Sequence, residues 1–468
     1  MTQGVVWKQL LSFAVPTMIG LIFQQLYNTV DTIVVGQFVG KEALAAVGST
    51  GPIINMLVSL SAGLSSGAMV IISQHYGAHN DRRLEDAVQT TIVVTFILSM
   101  FITLAGVLLV RPMLRMMRTP DDVFGSAVQY LTIYYAGIIG LIFYNMTSGI
   151  MRAVGDSKRP LYFLIFSACM NIVLDLLFVV VFKLGVAGVA YATVLSQLLS
   201  AVLTLYVLTR TDAPYAIKWN RLRITRPELK RILSIGLPTS VQQAVTSFSN
   251  VFVQSYINIL GSACMAGWST YGKLDAFVLV PMQAISLASS TFVGQNYGAR
   301  QFTRARKGAN VSIGLSEVIT ITLGVIVVSL APQLMHLFTQ DEEVIRYAVL
   351  FVRIITPFYV CNVVNQIYAG ALRGIGDAII PTIVMLTSFV AFRQVFLFCN
   401  KTLFEGTKTY LYGVSLAYPS GWVMCTLLMT IFYRKSILFK AKDGEDAREL
   451  KEKLKIQKKY SLRKKEHS

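Results

Sequence analysis

The sequence predicts an all-α polytopic membrane protein, with twelve transmembrane helices in two pseudo-symmetric six-helix lobes around a central cleft. Three observations carry this reading. Of 468 residues, 54% are hydrophobic and only 14% charged, with mean hydropathy +0.58, whereas soluble domains carry about 25% charged residues. Apolar runs of about 20 residues or more, enough to cross roughly 30 Å of hydrocarbon, recur along the whole length. The chain is also written twice.

The runs are long and continuous, which favours helices over the ten-residue alternation of a barrel. In the first half they fall at 10–36, 45–74, 88–110, 126–151, 160–182 and 185–209. The first run lacks a small-residue cleavage site and reads as a span rather than a signal peptide. Residues 210–231, basic and carrying Pro214 and Pro227, form a linker. The second half repeats the pattern at 232–259, 264–293, 309–332, 344–371, 379–399 and 409–433, and a basic tail follows at 434–468. The lobes are thus 1–209 and 232–433.

The net charge of +18 is placed as topology rather than as a nucleic-acid surface. The links "HNDRRLED", "RAVGDSKR", "KWNRLRITRPELKR" and "ARQFTRARKG" all follow even-numbered spans, whereas "GQFVGKEA" and "NILGSACM" follow odd ones. This asymmetry puts both termini in the cytoplasm. Arg111, Arg115 and Arg118 break the rule in one link. The tail reads as a partly helical cytoplasmic segment near anionic lipid. Five scattered cysteines form neither a CxxC pair nor a disulfide framework.

Three matches establish the duplication. "LSFAVPT" at 11–17 returns as "LSIGLPT" at 233–239, "QHYGAHNDRR" at 74–83 as "QNYGARQFTR" at 295–304, and "RAVGDSKRP" at 152–160 as "RGIGDAIIP" at 373–381. The shifts are 222, 221 and 221 residues. Six spans per half make the repeats parallel, related by an axis along the membrane normal, with a site between them near the midplane.

Polar residues inside the spans then locate that site. Gln24, Tyr27 and Asp31 share one helical face, as do Asn171 and Asp175. Thr193, Ser196 and Gln197 fall in the sixth span, and Tyr130 and Asn145 in the fourth. A lone Asn, Thr or Gln commonly makes a helix–helix hydrogen bond. For the two aspartates that reading is weaker, because no Lys or Arg lies at mid-span depth in the first half to pair with them. Two carboxylates, an amide and a hydroxyl form an all-oxygen set suited to a hard cation or a shared proton. Pro16 removes a backbone donor about four turns before Asp31, so a bend is expected there.

The second copy lacks this set, since the matching positions are Phe252 or Val253, Phe392 and Phe396. It has its own charges, Lys273, Asp275, Glu317 and Arg393. A structural pair with another span, such as Arg393 with Asp275, is the expectation for them, with substrate contact as the alternative. Glu317 is placed near enough to a span end to be solvated and takes no role.

Letter matches to nucleotide and hydrolase motifs fail. "GQFVGKEA" at 36–43 has the wrong glycine spacing and Glu where Ser or Thr is needed, and "GLSSG" at 63–67 sits inside a membrane helix. There is no HExxH. With no ATP site and no hydrolytic constellation, anything the protein moves must be driven by an ion gradient, and neither an enzyme nor a cofactor is expected.

The twelve spans, the doubled "P-T" entry, "QxYGA" after both second spans and "RxxGD…P" after both fourth spans together resemble the multidrug and toxic compound extrusion (MATE) family. The resemblance covers about 10–435. Within the family the chain is most similar to the bacterial DinF-type branch, because the seventh span, "GLPTSVQQAVTSFSNVF", has no acid where the NorM-type branch carries one. The resemblance implies a sodium or proton site at Asp31, Asn171, Asp175 and Thr193, with the Val189 carbonyl. It also implies a bend at Pro16 and an N-lobe cavity lined by Gln24, Tyr27, Tyr130 and Asn145. A monomeric antiporter of drugs or amphipathic, cationic small molecules in a bacterial plasma (inner) membrane is the leading expectation, and a flippase for a lipid-linked precursor the runner-up. Those flippases often have fourteen spans and cationic cavities.

Overall fold

Inside lipid a chain segment has no water to bond, so its backbone N–H and C=O groups must be satisfied within the segment, as a helix does. The structure, a computed structural model, describes residues 1–117 and 119–445, apart from the side chains of Asn28, Thr32, Lys41, Glu42 and Leu44. Arg118 and residues 446–468, most of the expected basic tail, lie outside the described residues.

The first lobe is α1 (Val6–Val39), α2 (Lys41–Gly77), α3 (Asp81–Met116), α4 (Asp121–Ala136 with Ile138–Ala153), α5 (Lys158–Val181) and α6 (Gly185–Arg210). The second is α7 (Arg226–Asn258), α8 (Ser262–Val278 with Val280–Gly298), α9 (Phe302–Ser329), α10 (Glu342–Gly374), α11 (Ile379–Phe404) and α12 (Lys408–Lys435). No strand occurs among the described residues. Nine of these helices are long and apolar enough to cross a membrane, and the bent pairs in α4 and α8 bring the number to eleven. The twelfth, α7, has the length but carries the polar stretch "SVQQAVTSFSN"; its place is fixed as the second copy of α1.

The fourth and eighth spans, expected as continuous, are bent by 46° and 40°. The bend in α4 falls at Gly137, and its counterpart in α10 is a 3₁₀ turn, Thr356–Phe358, built around Pro357. Pro16 behaves differently, because α1 stays helical through it. The bend expected at Pro16 is not expressed as a break.

Each lobe has its own apolar core, the N-lobe core takes in part of the C-lobe, and a third cluster joins the start of α1 to the C-lobe. Ile232 and Ile235 of α7 belong to the N-lobe core. Leu10 and Phe13, their counterparts in α1, pack instead with Met282, Phe292 and Ile367 of the C-lobe. The leading turns of α1 and α7 therefore cross over at the end that carries the basic links.

That end is also where the repeated motifs meet. Gln74 Nε2 donates to the Gly374 carbonyl at 2.8 Å, and Gln295 Nε2 to the Ala153 carbonyl at 2.7 Å. Each glutamine of a "QxYGA" copy thus bonds the "RxxGD" copy of the opposite half. A Cβ on Gly77 would lie 1.9 Å from the Gln295 carbonyl oxygen, and one on Gly298 1.9 Å from that of Gln74, so only glycine allows this approach. In "RxxGD" the aspartate caps the next helix. Asp156 Oδ1 accepts from the Lys158 and Arg159 amides, and Asp377 Oδ1 from that of Ile380. A buried pair, His75 Nε2 to Glu228 Oε2 at 2.9 Å, and an Arg231–Gln74 bond at 2.9 Å close the same face. The lobes are sealed together at the basic end.

Candidate cation site and substrate cavity

Asp31 lies one turn before a π-helical segment, Val35–Val39, and Asp175 immediately precedes another, Leu176–Val181. Such wide turns are frequent at functional positions. Packing of α1 on α5 brings the two carboxyl groups close enough to act on each other directly. Yet Asp31 Oδ1 and both oxygens of Asp175 are shielded from solvent and receive no bond from any other donor, so that only a proton shared between the two acids would pair them, and Oδ1 and Nδ2 of Asn171 are unpaired as well. A buried polar atom left unpaired costs about 1–3 kcal/mol, and more when charged. Five of them in three neighbouring side chains are not a packing device. Two carboxylates in one low-dielectric niche call for a compensating positive charge, and four oxygens with an amide suit a hard monovalent cation or a proton. Among the described residues no group of three or more His, Cys, Asp or Glu offers a transition-metal site.

Tyr27, Tyr130 and Tyr134 stand around Asp31 within electrostatic reach, with the Tyr130 and Tyr134 rings stacked at 6.2 Å. Thr193 is buried, and its Oγ1 donates to the Val189 carbonyl at 3.0 Å. The hydroxyl and the carbonyl that the resemblance pairs with the cation are thus bonded to each other. Only the remaining lone pairs face anything else.

A cavity of about 350 Å³ opens beside the acids. Pro16, Gln24, Tyr27 and Asn145 line it, as does Asn171, which joins the cavity to the carboxyl pair. Tyr130 sits outside the lining, next to the acids. Sequence reasoning missed Tyr144, Gln283 and Arg152, all of which face the cavity. Arg152 belongs to a basic link by sequence, which hid it. Its position in the repeated motif was the available signal.

The C-lobe corrects two expectations. Arg393 does not pair with Asp275. It donates to Ser249 Oγ at 3.0 Å and Asn250 Oδ1 at 2.8 Å, and lies 4.5 Å from the Tyr418 ring. Asp275 accepts from the hydroxyls of Tyr359 and of Tyr271, the latter at 3.2 Å. Each charge is met locally by neutral donors, acceptors or a ring, although Arg393 Nε itself is left unpaired. Lys273 is exposed and lies over Phe338, away from Asp275. Glu317 is not near a span end either: it sits midway along α9 with Oε2 shielded and unpaired.

A family model described as MatE matches residues 16–177 and again 238–398, once per lobe and in the register of the duplication. The chain is 29% identical over 436 residues to a probable multidrug resistance protein, YoeA, of Bacillus subtilis (strain 168), covering 92% of this chain and 94% of that one. It is 30% identical over 441 residues to another from the same organism, YpnP, covering 92% and 96%. A solved outward-facing conformation of a multidrug resistance MATE family transporter of the MOP superfamily matches it with a TM-score of 0.87 at 25% identity, over 92% of this chain and 96% of that one. Two family matches in one register, with relatives aligned nearly end to end, leave one conclusion: the chain belongs to the MatE family and is a multi-pass membrane transporter rather than an enzyme.

Proposed function

We propose that this transporter exports small amphipathic molecules in exchange for Na⁺ or H⁺, with the ion held by Asp31, Asn171 and Asp175 and bordered by Thr193. The observation that carries it is the cluster of shielded, unpaired polar atoms in the first three residues, one of which also lines the cavity. Ion and substrate then bias a single lobe between two arrangements, and a cavity of about 350 Å³ suits a drug-sized solute. With the basic links in the cytoplasm, the sealed end faces inward. The DinF-type branch fits, because the seventh span carries glutamines and no acid. A monomer in a bacterial plasma membrane completes the proposal.

Substrate efflux from proteoliposomes, with a sodium or a pH gradient imposed separately, tests it. Movement driven by one gradient and abolished in Asp31→Asn is the expected result. Equal movement without any gradient would remove the ion from the mechanism.

A further inference from the structure

The duplication puts an arginine at the same place in both lobes, but the two arginines have different surroundings. In the C-lobe, Arg373 donates to Gln242 Oε1 at 3.1 Å and lies 3.8 Å from Met385 Sδ. In the N-lobe, Arg152 occupies the matching position, while Gln242 is replaced by Gly20 and Met385 by Leu164. Both replacements line the cavity, as does Arg152. Its Nε is shielded and unpaired, as is that of Arg373, but Arg152 has no counterpart to the Gln242 amide and no carboxylate pairs with it among the described residues. Tyr144 beside it spends its hydroxyl on the Pro160 carbonyl and brings no charge to offset the guanidinium.

A guanidinium stays ionised in any protein site, and without the amide that serves Arg373 this one has N–H groups left over for a charged acceptor. Asp31 does not supply one, since it lies about three turns, or roughly 16 Å, further along α1 than Gly20. We propose that Arg152 is an anion subsite of the N-lobe cavity, exposed by the loss of the amide at position 20, and that it receives a carboxylate or similar planar anionic group on an amphipathic solute. The planar fork of arginine matches a carboxylate in two parallel hydrogen bonds. The cavity is then bipolar, with ion chemistry at the acids and substrate anchoring at Arg152. As a statement of substrate class this rests on the exporter reading above; as a statement of binding it stands alone.

The test is equilibrium binding of two isosteric fluorescent probes, naphthoate and naphthylmethylammonium, to the purified full chain in detergent, followed by flux of both in proteoliposomes. Two variants probe the site. Arg152→Gln removes the charge. Gly20→Gln rebuilds the C-lobe pairing, and a Cβ there would meet Leu161 and Leu164 at 3.5 Å, ordinary contact. Wild type should bind naphthoate more tightly than naphthylmethylammonium. Both variants should lose about tenfold in naphthoate affinity, the scale of one charge-assisted pair, without losing affinity for the cation. Equal loss of both probes in either folded variant, or no naphthoate preference in wild type, overturns the proposal. If naphthoate binds as stated but no gradient moves either probe, the exporter reading fails and the anion subsite stands.

Discussion

Asp31→Asn removes a charge at nearly constant volume, so the protein should reach the membrane and lose gradient-driven efflux. Asp175→Asn should behave alike, and the double variant should be little worse than either, because residues acting as one site are not additive. Efflux rates in proteoliposomes decide this. A wild-type rate that still follows the imposed gradient in Asp31→Asn would exclude the role. The C-lobe makes the opposite prediction. Arg393 and Asp275 have separate partners, so the stability losses of Arg393→Gln and Asp275→Asn should add to within about 0.5 kcal/mol in thermal or denaturant unfolding. A larger coupling would show that they act as a pair after all. The acids of the N-lobe were legible because an unpaired carboxylate at mid-span depth is expensive wherever the helix points. The C-lobe partners were not, because hydroxyl and amide donors on other spans carry no charge that would single them out. Glu317 was misplaced for a simpler reason: α9 begins seven residues before the apolar run foreseen for it, which moves its midpoint.

At the scale of the element, α1 keeps its helix through Pro16 although proline has no N–H to give the Ser12 carbonyl. Replacing proline by alanine in a helix interior is worth up to about 3 kcal/mol, less where neighbours re-satisfy the freed carbonyl. Pro16→Ala should therefore raise the melting temperature in detergent and, if this position yields during transport, slow efflux. A stabilised variant with unchanged efflux would remove the hinge. Helix existence was legible for all twelve spans, since apolar length alone marks a helix in lipid. The bends at Gly137 and Leu279 were not, because an apolar run carries no mark of direction. α7, read from sequence as the run 232–259, is interrupted by a polar stretch, and its match to α1 in the duplication supports its place as a span.

For the whole molecule, the basic links predict that a cysteine placed at Gly261 is labelled from outside the cell and one at Asn220 is not; the reverse pattern would invert the topology. The two crossed glutamine bonds predict a second result. Removing both, as Gln74→Ala with Gln295→Ala, takes away about 1 kcal/mol each from the sealed arrangement. A cysteine at the cavity residue Ser66 should then react faster with a reagent supplied on the basic side, and an unchanged rate would show that the bonds do not hold that end shut. The repeats made the twofold plan legible from sequence; that the copies grip each other was not, because a motif names residues and not their partners. The crossover of leading turns also has a consequence in time. Phe13 is among the first residues made, but its packing partner Phe292 follows at a synthesis rate of about 5–20 residues per second, so Phe13 waits roughly 15–55 s. During that interval the N-lobe also lacks Ile232 and Ile235, which complete its own core. An N-terminal half expressed alone should therefore remain degradable in cells, and co-expression of the other half should protect it.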